Sequence, residues 1–374
     1  MKSAAREYPS MIPALRRLVY HAHTSLRAQT MATVSMEVSV QTAGCKALLA
    51  HAAPPASRTS FRAVLLAATV LLASLPASAQ IGGEPGAFSR MGFGARGMAM
   101  GNAMASMTGG DVVAYYNPAL VSSAGYRSAT ASFGILSLDR SLNFLSYTQA
   151  LPPKAGLSVG LINAGVSDID GRDGDGQPTG PLRTSENQVF LGFGVRPTED
   201  LQVGVALKLY YYHLYTDVSS TTVGVDFGAL YRIGEGFTAA VTLKDINSRY
   251  KWDTSPIFGQ SGQSSEDRFP VLTTAALSYE LPDSIGLVAT EFEFSSRSTI
   301  MMRAGVEVPL IPEFTVRLGI DRVDIKESGN GVRPSAGFTV RTTVGSWTPA
   351  LHYAFVHEPF SPSPLHMITL SAAF

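Results

Sequence analysis

From about residue 127 to the C-terminus, apolar and polar side chains alternate with a period of two, segment after segment. Successive side chains of a strand point to opposite faces, so this period commits the chain to β-strands with one apolar face and no long helix. In residues 221–231, Val223, Val225, Phe227 and Tyr231 share one face, and Thr222, Gly224, Asp226 and Gly228 share the other. Ile300, Met302, Ala304, Val306 and Val308 oppose Arg303, Gly305 and Glu307. Phe314, Val316, Leu318 and Ile320 oppose Thr315, Arg317, Gly319 and Asp321. The last segment sets Ile368, Leu370, Ala372 and Phe374 against Thr369 and Ser371. The polar face is small as well as charged.

About fourteen such segments lie near 127–136, 141–150, 156–164, 187–196, 201–215, 219–232, 237–247, 270–280, 285–295, 299–308, 313–324, 334–343, 347–357 and 364–374. The number is even, as a closed antiparallel barrel with both ends on one side needs. Every second connection is a tight turn, as at Pro152-Pro153-Lys154, Gly234-Glu235-Gly236 and Pro282-Asp283. Most of the others are longer and polar, at 165–186, 248–269, 325–333 and 358–363, with short ones at 137–140 and 296–298. Short turns at one end and long loops at the other are the pattern of an outer-membrane barrel.

A soluble β-sandwich would alternate too, so other features must separate the two. The chain is 45% hydrophobic and only 16% charged, against roughly 25% charged for soluble domains. The charges that interrupt strands sit on polar faces: Lys208, Asp226, Lys244, Glu291, Glu293, Arg303, Glu307, Arg317, Asp321 and Arg341. Both signs are equally represented there, which suits pairing across a wet lumen; a structural ladder is the plainer role and a selectivity filter the sharper one. Aromatics gather near strand ends, at Tyr210, Tyr211, Tyr212, Tyr215, Tyr250, Trp252 and Trp347, where a bilayer interface would hold them. The chain ends on Phe374 at the end of a strand, the expected signal for the outer-membrane barrel assembly machinery. The fold expected is an all-β transmembrane antiparallel barrel over 127–374, in contact with outer-membrane lipid.

The N-terminal part reads as export machinery. Arg58 and Arg62 precede the apolar run Ala63–Leu75, followed by Pro76-Ala77-Ser78-Ala79. A basic start, an apolar core of this length and an Ala-x-Ala site describe a signal peptide over 58–79. The run is too short to span a bilayer as a helix. Residues 1–57 then read as an over-called N-terminal extension, and they contain the only cysteine, Cys45. Of 29 Lys/Arg and 29 Asp/Glu, eight basic but two acidic residues lie in 1–79, so the exported part is net acidic. That argues against nucleic acid as a partner. The address is the outer membrane of a Gram-negative-type cell.

Residues 80–126 break the pattern. Gly82, Gly83, Gly86, Gly92, Gly94, Gly97 and Gly101 crowd a stretch with Met91, Met98, Met100, Met104 and Met107. A barrel of fourteen strands is too wide for its own side chains to fill, so this segment is expected to form an N-terminal glycine- and Met-rich hatch or plug. The run Ala95-Arg96-Gly97-Met98-Ala99-Met100-Gly101-Asn102-Ala103, then Asp111, then Tyr116-Asn117-Pro118-Ala119, resembles the N-terminal signature of the PorV/PorQ family, within the FadL-like superfamily of outer-membrane proteins. Tyr116 matches the aromatic that the family places before Asn-Pro-Ala; Leu120 stands where it usually has Gly. The resemblance implies a hatch motif of Gly97, Gly101, Asp111, Asn117, Pro118 and Ala119. It implies one of two roles: passive passage of hydrophobic small molecules, or a type IX secretion component that binds secreted protein cargo or partner proteins.

Other motifs carry less. Gly92-Phe93-Gly94-Ala95-Arg96-Gly97 fits a dinucleotide fingerprint but lacks the βαβ unit that the motif requires. Asp168, Asp170, Asp173 and Asp175 suggest calcium, yet Arg172 occupies the fifth position of an EF-hand count, and Asp-Gly is ordinary turn chemistry. No nucleophile-elbow or zincin motif occurs. His352 faces the polar side of its strand and His213 the side of the outward tyrosines, neither with an evident Ser partner. A non-enzymatic protein with no metal and no cofactor is expected.

Overall fold

The computed structural model describes residues 83–374 apart from Val112, residues 216–217, Glu235 and residues 326–330. The signal peptide expected over 58–79 and the extension expected over 1–57 lie outside the described residues. Fourteen strands close into one ring. They are β1 (Ser128–Ile135), β2 (Arg140–Leu151), β3 (Ala155–Arg172), β4 (Pro178–Val195), β5 (Leu201–Tyr215), β6 (Val218–Gly234) and β7 (Phe237–Ile246). A small hairpin, β8 (Arg249–Asp253) and β9 (Ser264–Arg268), stands outside the ring. The ring continues with β10 (Leu272–Glu280), β11 (Leu287–Ser295), β12 (Ile300–Ile311), β13 (Phe314–Asp324), β14 (Arg333–Arg341), β15 (Thr348–Val356) and β16 (Leu365–Ala373).

Every ring neighbour is antiparallel, and β1 closes on β16 with Ser128 opposite Ala373 and Ile135 opposite His366. Closure leaves no unpaired strand edge, the condition for a sheet to stand in hydrocarbon. The fourteen ring strands match the fourteen expected segments. Among the described residues no helix is long and apolar enough to cross a membrane.

The alternation sorts inside from outside as expected. Val223, Phe227 and Tyr231 are about half exposed on the outer wall, whereas Asp226 between them is fully buried. Leu318 is exposed beside buried Arg317, and Leu370 beside buried Thr369. An apolar wall of this extent is stable only against lipid tails.

Three details depart from expectation. The span 165–186 is mostly strand: β3 and β4 run on to Arg172 and back from Pro178. Asp168 adopts a left-handed conformation at φ 53°, and the β3–β4 register shifts between Val166 and Ile169. That bulge reverses the inside–outside order and hides the strand from a period-two reading. The loop 248–269 contains β8, β9 and one helical turn, α2 (Ser255–Phe258), numbered after the helix α1 (Gly94–Ala99) of the head segment. Finally, the tyrosine run does not form one girdle. Adjacent rings on a strand face opposite ways, so Tyr211 lies outside while Tyr210 is buried inside. Tyr212 packs on Tyr250 and Trp252, and Tyr210 on Phe269, as one aromatic cluster at the base of the β8–β9 hairpin. Tyr211 and Trp347 keep outward positions, and Trp347 stacks on Phe374 at 5.0 Å.

The wall assignment has a direct check. Phe227→Arg places a charge against lipid, costing roughly 2–4 kcal/mol near the bilayer midplane. Refolding into vesicles, read as the heat-modifiable band on a gel, should fall sharply for Phe227→Arg and much less for Thr222→Arg on the other face.

Candidate functional site

The inner face of the ring is covered by the head segment. Here α1 contacts β13–β16 and β1, and a 3₁₀ turn, Pro118–Ser123, contacts β2–β6. Both approaches need inward positions without side chains. A Cβ on Gly319 would strike the backbone of Gly101 and Met100, and one on Gly204 the backbone of Pro118 and Ala119. The small residues of the polar faces are therefore seats for the head. Met98, Met100, Met104 and Met107 are buried core of this interface, and only Met91 of the head methionines reaches the cavity above it.

The hatch-motif residues sit at joints. Gly97 lies within α1, where glycine costs about 0.5–1 kcal/mol against alanine; the Tyr116 hydroxyl occupies the place of its missing Cβ. Gly101, at φ 60°, lies against the backbone of Ile320. Asn117 caps the 3₁₀ turn: its Oδ1 accepts from the Ala119 amide at 2.9 Å, and its Nδ2 donates to the Ala105 carbonyl at 2.8 Å. Pro118 fixes the first position of that turn, where its missing N–H is not needed. Asp111 lies across the interface, 3.6 Å from His352.

The lumen charges form two clamps on this segment. In the first, Arg303 pairs with Glu293 at 2.9 Å and with Asp321 at 2.8 Å, Asp321 accepts from Asn102 at 3.0 Å, and Glu291 accepts from the Ala105 amide. Beside it, Lys208 pairs with Asp226 at 2.7 Å and Asp245 at 3.0 Å, and Lys244 donates to the Tyr115 carbonyl at 3.0 Å. In the second, Arg96 of α1 and Arg317 of the wall share Glu307, at 3.0 and 2.6 Å. Arg341 is exposed and lines the cavity beside this group rather than joining it. Burial pushes the hydroxyls of Tyr115 and Tyr116 up, so both serve as neutral hydrogen-bonding groups.

Several participants escape a sequence reading. Asp245 stands next to Lys244, so strict alternation would put it in lipid. A left-handed residue at φ 61° and a register jump opposite Asp226 turn both side chains inward. His352 does have a serine partner: its Nε2 lies 2.8 Å from Ser371, while Nδ1 bonds Thr339 at 2.7 Å. The serine and Asp111 approach the same ring nitrogen, whereas a catalytic triad needs the carboxylate on the opposite one. The group ties wall to head. In the Asp loop, Asp170 pairs with Arg172, and Asp173 accepts from the amides of Asp175 and Gln177, a self-satisfied hairpin tip.

Two cavities flank the head. At the long-loop end lies one of about 520 Å³, with Phe88, Met91, Leu136, Leu138 and Phe360 on its apolar side. Its charged side includes Arg333 and Arg140, both paired with Glu358 at 3.2 and 3.1 Å. At the short-turn end lies a more polar cavity of about 290 Å³ between Arg96, Glu307, Arg317, Arg341 and His352.

The Lys208 group gives a stability test. Removing the cation leaves two buried carboxylates, which costs about 3–5 kcal/mol. Lys208→Met should lower unfolding free energy in urea by that amount, and the further changes Asp226→Leu and Asp245→Leu should restore most of it.

No family model and no curated protein matches the chain. Solved structures do. The CymD monoaromatic hydrocarbon channel matches with TM-score 0.53 and 14% identity, over 76% of this chain and 97% of that one. The Pseudomonas putida toluene transporter TodX matches with TM-score 0.54 and 12% identity, over 75% and 96%. A Pseudomonas aeruginosa FadL homologue matches with TM-score 0.52 and 9% identity, over 75% and 98%. At such identities what is shared is the architecture: the chain has the fold of the FadL-like channels, a closed barrel of fourteen antiparallel strands.

Proposed function

We propose that this protein is a non-enzymatic outer-membrane channel for the passive passage of hydrophobic small molecules. Residues 80–126 serve as its hatch, and the long-loop end faces outwards. The observation that carries the reading is the cavity at that end. It is large enough for a small aromatic or aliphatic molecule, apolar on one side and held open by paired charges on the other. The channels of the same fold, named for monoaromatic hydrocarbons and toluene, support it. Phe374, stacked on Trp347, would be the residue read by the assembly machinery.

The head signature Tyr116-Asn117-Pro118-Ala119 supports a second reading, a PorV/PorQ-like component of type IX secretion. The two part on one pair of measurements. Purified barrel in liposomes should take up toluene or a fatty acid with saturation, and a pull-down from envelope extract should recover no secretion partner. Phe360→Ser, at an exposed rim position, removes about 1 kcal/mol of apolar contact, a fivefold weaker half-saturation. Native uptake no faster than empty liposomes, with partners recovered, would select the secretion reading.

A further inference from the structure

The interior holds two more spaces, each about 40 Å³, between the large cavities. The first borders Arg90, Glu293 and Arg303, which also line the long-loop cavity. The second borders Arg96, Asp111 and His352, which also line the short-turn cavity. Among the described residues one lines both small spaces: Tyr116. From this series we infer that the Tyr116 ring is the gate of a single internal route, closing it at its narrowest point. The inference rests on the channel reading and names the residue on which passage turns.

The ring is held by contacts that can be exchanged rather than by tight core packing alone. Its hydroxyl accepts from the Phe93 amide at 2.9 Å and can donate to the Phe93 carbonyl or to Asn102 Oδ1, each at 3.0 Å. A hydroxyl has one proton, so only one of those acceptors is served at a time. The hydroxyl rests over Gly97, and the ring meets Tyr115 edge-on at 4.8 Å. Asn102 is the latch: its Nδ2 bonds Asp321, which pairs with Arg303. Arg303 faces the long-loop cavity. A molecule seated there that disturbs Arg303 therefore acts on the latch through two hydrogen-bonded steps. Gly97 in α1 acquires a reason beyond packing, because any side chain there would displace the ring.

Planar-bilayer recording on the full-length barrel tests the gate by potassium chloride conductance, which reads the route whether or not hydrophobic molecules use it. Tyr116→Ala should raise conductance at least about tenfold over the native protein. Met98→Ala, a deletion in the buried head that borders neither small space, should change it less than twofold. Tyr116→Ala that conducts no more than native, or Met98→Ala that conducts as much as Tyr116→Ala, would overturn the gate. If Tyr116→Ala gives no heat-modifiable barrel, Tyr116→Phe decides: it keeps the ring and loses the latch, so more frequent openings support the gate and unchanged openings overturn it. A gate that opens in a protein taking up no toluene would stand while the transport reading falls.

Discussion

A ring of fourteen strands encloses more space than its own side chains can fill, and most of what is notable inside this molecule answers that constraint. Closure satisfies every strand edge and permits an apolar exterior, but it makes the interior polar and wide. The chain fills it with its own N-terminal segment. Glycines on opposite walls let that segment's backbone approach, as Gly319 does at Gly101 and Gly204 at Pro118. Charged side chains between the glycines then find partners on it, as Glu307 does in Arg96 and Asp321 in Asn102.

Buried ion pairs contribute little net stability, since desolvation offsets most of their attraction. Their distribution here fits specificity better. Glu291, Glu307 and Asp321 each accept a hydrogen bond from the head, so a misplaced head would leave three lumen carboxylates short of a donor at once. The head also packs on the wall through buried apolar side chains, among them Met98, Met100 and Leu120, while the strands are held to one another by continuous ladders. Within that closed interior the proposed gate is the Tyr116 ring, whose hydroxyl has two acceptors for its one proton.

The architecture was legible because strand alternation is a local property, and in this barrel it is strict over most segments. The fourteen strand positions and the inward charges such as Arg303 and Asp321 follow from it. Legibility failed where the backbone broke the period. The bulges at Asp168 and Asp245 reverse inside and outside, so the length of β3 and the ion pair to Lys208 were both hidden. It failed also where contacts join distant segments. Nothing local indicates that His352 meets Ser371, or that Tyr210 and Phe269 pack together. The head motif was visible as glycine, methionine and Asn-Pro-Ala, but the reason for Gly97 lies in the Tyr116 ring, which only the folded chain brings to it.

Residues 95–111 and 113–122 occupy the lumen as part of the folded barrel. Hydrogen–deuterium exchange of the protein in lipid bilayers tests this placement peptide by peptide. The amides of Ala95, Met100, Asn102, Ala105, Ala114 and Ala119, bonded within the head or to the wall, should exchange as slowly as those of β4 and β5. Exchange of these amides as fast as the exposed hairpin tip at 173–177 would contradict it.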